Sequence, residues 1–212
     1  MMPRPRVVLL HGLWMHAPAM QWFASRLRRD GFDVMPMGYF SVLESTESAV
    51  ARIVRTLDRQ PGTHLVGHSL GGLMAVQAAA RSRVGRVVCL GSPLAGSQAA
   101  DGVASRVPGG RSLIGQHREL LLRGAGALPS GIEVGMVAGT LPRGLGGAIA
   151  RLPSPHDGTV ALAETRIPGL AAHVVVAASH TGLIFSREAA SHAACFLRGG
   201  RFTEMAALAA IA

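Results

Sequence analysis

Gly67-His68-Ser69-Leu70-Gly71-Gly72 stands between a short run, residues 63–66, and an Ala-rich stretch, residues 70–81. The run reads as a buried strand and the stretch as a helix. A serine at their junction must turn sharply from one to the other, which puts it at strained positive φ. The chain can pass only if the residues two before and two after are small, and Gly67 and Gly71 satisfy that. Such a turn lifts the hydroxyl above the sheet and points the following N–H groups at the same space, aided by the helix N-terminus. A phosphate-binding loop is the plain alternative, but it calls for a Lys or more glycines at its own spacing, and there are none.

Outward from that turn the chain alternates. Residues 7–10, 32–37, 86–90, 132–138 and 172–178 read as further strands, and 18–29, 45–58 and 187–197 as helices. Strands alternating with helices of this length predict an α/β fold, a mainly parallel open sheet with helices on both faces. The strands are continuous apolar runs, as a sheet covered on both sides requires. No repeat or compositional break divides the chain, so residues 1–212 read as a single domain. Residues 94–131, Gly- and Ser-rich with one helical piece at 113–123, and residues 139–156 resist this pattern and read as loops over a site. The apolar tail 205–212 reads as a docked or frayed end.

Composition narrows the function classes. A hydrophobic fraction of 49% with mean hydropathy +0.32 supports a sizeable core. No apolar run is long enough to span a bilayer, and the N-terminus lacks the long apolar segment of a secretory signal, so a cytoplasmic protein with no integral membrane association is expected. The net charge is +9, yet every basic residue is Arg and only Arg28-Arg29 are adjacent. With 4% aromatic residues there is little material for base stacking or a phosphate track, so no nucleic-acid partner is expected. Cys89 and Cys195 are too few and too far apart for a disulfide framework, redox pair or zinc motif, and read as buried thiols.

A serine hydroxyl is a poor nucleophile until a base takes its proton. Of nine histidines, His180 follows the last strand in Ser179-His180-Thr181-Gly182, at the carboxyl edge where open α/β sheets bind ligands. His173, at the strand's other end, should point away. The histidine needs an acceptor on its second nitrogen. With the chain order serine, acid, histidine, the choices are Asp101, Glu119, Glu133, Asp157 and Glu164. Asp157, in the turn Pro155-His156-Asp157-Gly158-Thr159-Val160, is preferred, against the plainer reading of an Asx turn capping Thr159. For the oxyanion, the backbone N–H of Leu13, after His11-Gly12 at the end of the first strand, faces the N–H of Leu70 across the site. Trp14, Met15, Met20, Phe40, Met136 and Leu183 are apolar and near these loops, where they line an acyl pocket or belong to the core.

Together these motifs resemble the α/β-hydrolase superfamily, and within it the compact serine esterases and lipases of bacteria. The resemblance rests on His-Gly-apolar at 11–13, the serine turn at 67–72, Gly91-Ser92-Pro93-Leu94-Ala95-Gly96-Ser97, Asp-Gly-Thr-Val at 157–160 and Ser-His-Thr-Gly at 179–182. Leu94 departs from the histidine that many lipases carry after the proline. The resemblance implies a minimal fold with little or no cap. It also implies a carboxylic ester hydrolase with catalytic Ser69, Asp157 and His180, acting on a small-molecule ester or lipid without metal or organic cofactor. A thioesterase or acyltransferase uses the same three residues, and a non-catalytic ligand-binding relative is the alternative from another class.

Overall fold

The computed structural model describes residues 3–143 and 152–202; the tail read at 205–212 and part of the 139–156 stretch lie outside them. Six parallel strands form one open sheet in the order β2-β1-β3-β4-β5-β6. They are β1 (Arg6–Leu10), β2 (Asp33–Met37), β3 (His64–His68), β4 (Val87–Leu90), β5 (Val134–Gly139) and β6 (Ala172–Val176). This is the predicted α/β architecture.

Helices cover both faces because alternate strand residues are apolar on both. Val8, Leu10, Leu65 and Cys89 pack under α2 (Thr46–Asp58) and α3 (Leu70–Ala79). Val7, Leu9, Val66 and Val88 pack under α1 (Gln21–Arg29) and the C-terminal helix described below. In α2, Val50, Ile53 and Leu57 form the buried stripe, and the Ser45 side chain caps the helix by accepting from the Ser48 N–H. Such a cap stabilises by about 1 kcal/mol. All of α3 except Gln77 is buried, as the helix that follows the central strand must be.

Residues 94–131 differ from the reading above. They hold three helices rather than one: α4 (Gln98–Arg106), α5 (Gly110–Ile114) and α6 (Arg118–Arg123). Ser97 starts α4 by accepting the Ala100 N–H. The piece read at 113–123 is split at Gly115, which adopts φ +68 and where a Cβ would stand 2.1 Å from the Val42 carbonyl oxygen, so both backbone and space call for glycine. The last helix, α7 (Arg187–Gly199), ends at Gly200 in the left-handed conformation, and Ser186 caps its start. No helix among the described residues is long and apolar enough to cross a membrane.

The sheet order places the site. From β1 the chain moves outward to β2, then returns across β1 to β3 and continues the other way. The β1 and β3 carboxyl ends therefore flank the point where the winding direction reverses, the crevice where open α/β sheets bind ligands.

Candidate active site

Ser69 sits directly after β3 at φ 54, ψ −120, and its N–H donates to the Leu90 carbonyl at the end of β4 (2.9 Å). Ser69 and Trp14 are the non-glycine residues with positive φ among the described residues, and both lie at the two ends that flank the crevice. The turn is possible only with glycine beside it. A Cβ on Gly67 would stand 2.2 Å from the Gly71 carbonyl oxygen, and one on Gly71 would stand 2.4 Å from that of Leu10.

That second approach presses the start of α3 onto the end of β1. A Cβ on Gly12 would likewise meet the Ser69 Cβ at 3.2 Å. The segment 11–13 is thus packed against the serine turn. The Leu70 N–H belongs to the first turn of α3, where a helix leaves its amides without partners.

His180 follows β6 and is tied to Asp157 twice. Its Nδ1 lies 2.7 Å from Asp157 Oδ2, and its backbone N–H donates to the Asp157 carbonyl (2.8 Å). The other carboxylate oxygen, Oδ1, accepts from the N–H groups of Thr159 (2.9 Å) and Val160 (2.7 Å). The Asx turn and the histidine contact are therefore made by one side chain. Burial pushes the Asp157 carboxyl up, but the His180 imidazole and the two backbone donors outweigh it and hold the carboxyl below its ordinary value. Gly91 clears the space: a Cβ there would stand 3.1 Å from Asp157 Oδ2 and 3.3 Å from His180 Nδ1. The Ser69 hydroxyl makes no hydrogen bond to His180 among the described residues.

The other acids go elsewhere. Glu133 pairs with Arg86, Glu119 pairs with Arg123 and Asp101 stands in the first turn of α4. Glu164 accepts the Gln98 N–H at the start of α4 (2.6 Å) and the Ala161 N–H (2.7 Å). Burial raises its carboxyl. His173 bonds Thr165 Oγ1, away from His180. Among the described residues no three His, Cys, Asp or Glu side chains converge as a metal site would require.

Of the apolar residues read near the loops, Met20, Met136 and Leu183 are core, as is Leu94. Trp14 and Phe40 are exposed, at 58% and 71%. Trp14 ties three segments together. Its N–H donates to Ser41 Oγ (3.0 Å), and its indole N–H donates to the Leu113 carbonyl in α5 (2.8 Å). Leu113, to whose carbonyl the indole donates, is likewise exposed. A cavity of about 490 Å³ lined by Ser97, Gln98, Asp101, Leu122 and Glu164 lies at the start of α4 and includes none of Ser69, Asp157 and His180.

The sequence reading takes His11 and His68 only as members of tight turns and does not single out Tyr39, and the fold buries all three around the site. His68 was visible in the serine motif, but nothing in a motif reports what a side chain touches.

A family model described as the alpha/beta hydrolase fold matches residues 40–118. A comparison with curated proteins finds no match. Among solved structures, the mature form of a Bacillus licheniformis lipase is similar at 19% identity and TM-score 0.72, over 92% of this chain and 91% of that one. Its propeptide form is similar at 21% identity and TM-score 0.72, over 85% of this chain and 47% of that one, so the chain spans about half of that form's length. A pyrethroid hydrolase from Sphingobium faniae is similar at 15% identity and TM-score 0.65, over 93% of this chain and 98% of the other. At these identities the likeness concerns the fold, and it agrees with the sheet order and the serine turn: this chain is an α/β-hydrolase-fold protein.

Proposed function

We propose that the protein is a serine hydrolase that cleaves carboxylic esters of small molecules through an acyl-enzyme, with Ser69 as nucleophile, His180 as base and Asp157 as its orienting acid. The observation that carries this reading is the 2.7 Å contact of His180 Nδ1 with Asp157 Oδ2 at the rim that also bears Ser69. The carboxylate fixes the tautomer that leaves His180 Nε2 free to accept a proton. In the reaction Ser69 Oγ bonds to the acyl carbon as its proton passes to Nε2. The carbonyl oxygen becomes an oxyanion held by the Leu13 and Leu70 N–H groups, each contributing about 2.7–4 kcal/mol to the transition state. The ester C–O bond then breaks, and the leaving alkoxide takes the proton from His180. Water repeats the sequence to release the acid. The reading requires Ser69 Oγ and His180 Nε2 to come within hydrogen-bonding reach once substrate is bound.

The titratable test is labelling of Ser69 by a fluorophosphonate, with loss of labelling in His180→Ala. Ser69→Ala should lower p-nitrophenyl ester turnover by about 10⁴- to 10⁶-fold. Unchanged turnover in Ser69→Ala would remove the mechanism. Comparing oxygen esters with thioesters separates an esterase from a thioesterase with the same residues.

A further inference from the structure

We propose that His68 is a positioning residue that registers the base against the nucleophile, an inference that rests on the reading of Ser69 and His180 given above. His68 is the last residue of β3 and shares a peptide bond with Ser69. It is 1% exposed, and its Nε2 lies 2.9 Å from the His180 backbone carbonyl oxygen. A carbonyl oxygen only accepts, so Nε2 carries the hydrogen and Nδ1 is the bare nitrogen. Nδ1 is buried without a partner, 3.0 Å from where a Gly12 Cβ would stand.

The two rings are 4.7 Å apart at 47°. Burial and the neighbouring His180 push the His68 imidazole down to about 3, so it stays neutral while a reaction runs near neutral pH. The charged and titratable groups around it are His180, Asp157 and His11.

His180 is thus held at three points: its N–H by the Asp157 carbonyl, its ring by the Asp157 carboxylate and its carbonyl by His68. The first two fix the base to the acid turn. Only the third fixes it to the segment that carries the nucleophile, 112 residues earlier in the chain. Without it, the Ser69–His180 separation would depend on two loops from different strands. A misplacement of about 1 Å costs on the order of 10²-fold in rate.

The experiment compares His68→Phe, which keeps a ring but has no donor, with His68→Gln, whose amide restores one. Each is measured for kcat, KM and rate of fluorophosphonate labelling, with thermal unfolding as the control. The expected result is a kcat in His68→Phe lower by on the order of 10²-fold with KM nearly unchanged, slower labelling, and recovery of most of the loss in His68→Gln. Wild-type kcat in His68→Phe overturns the proposal, as does equal impairment of the two variants. Should His68→Phe not fold, long-range proton–nitrogen correlation spectra of the wild type decide. A neutral Nε2–H tautomer supports the proposal, and an Nδ1–H tautomer overturns it. A wild type that no fluorophosphonate labels overturns the Ser69 reading itself, whereas a labelled wild type with a fully active His68→Phe overturns only the role of His68.

Discussion

Tyr39 donates its phenolic hydroxyl to the backbone carbonyl of His11 while its ring stacks on the His11 imidazole, with centroids 4.2 Å apart and planes 8° from parallel. The carbonyl belongs to the 11–13 turn packed against Ser69, and His11 Nδ1 contacts the next carbonyl, that of Gly12, at 2.9 Å. Burial pushes the Tyr39 phenol up, so it remains a donor at any working pH. Tyr39→Phe removes one buried hydrogen bond and leaves the stacking. A loss of about 1 kcal/mol in stability is expected. If the 11–13 turn holds the oxyanion, ester kcat should fall about tenfold with KM little changed, since the affected interaction forms in the transition state. Steady-state kinetics beside a urea melt check both.

Ser69 at φ 54, ψ −120 occupies backbone space that glycine enters freely and other residues do not. Strain of this kind costs about 1–3 kcal/mol. Ser69→Gly should therefore raise the unfolding free energy by about 1 kcal/mol while abolishing ester turnover, and Ser69→Ala should abolish turnover with no such gain. Differential scanning calorimetry of the two inactive variants separates relief of strain from loss of the hydroxyl.

Asp157→Asn keeps the shape of the side chain but donates where a carboxylate accepts, so the His180 tautomer is no longer set. A fall of about 10⁴-fold in kcat is expected. The same variant reports a pH linkage. The folded carboxyl titrates below its ordinary 3.8, so the unfolded chain binds its proton first as the pH drops. The wild type's stability advantage over Asp157→Asn should be full above about pH 4, and it should shrink as the pH falls through the folded value. Unfolding midpoints at a series of acid pH values test this.

Acid should act earlier through the histidines. Burial pushes His68 down to about 3 and also lowers His11, His117 and His192 from 6.5. Unfolded, each gains a proton near its ordinary value, so stability is full above about pH 6.5 and declines below it. A histidine kept neutral through that range contributes a slope approaching about 1.4 kcal/mol per pH unit. The melting temperature should drop steadily from about pH 6.5 to pH 5, and His68→Gln should make the decline shallower.

The inner strands of the sheet were legible because parallel strands covered on both faces are short apolar runs, and Val7-Val8-Leu9-Leu10 or Val87-Val88-Cys89-Leu90 cannot hide among polar loops. The half-exposed edge strands β2 and β6 were legible from their alternation with helices. Ser69 was legible for a similar reason, since Gly67 and Gly71 mark a backbone constraint local to five residues. The three helices between residues 98 and 123 were not. They are short, α5 has five residues and α6 six, and their ends are set by contacts such as Gly115 against Val42 that join segments far apart in the chain. His68, Tyr39 and His11 escaped for the same cause. A residue that acts by gripping another's carbonyl leaves no periodicity and no spacing to read.

Glu164 grips both the first amide of α4 and the Ala161 amide, four residues after Asp157, and its own carbonyl accepts the Ala95 N–H. The start of α4 and the bend that carries Asp157 are thereby riveted into a single mechanical piece. A displacement of the start of α4 therefore draws the Asp157 bend along with it or breaks the Glu164 contacts.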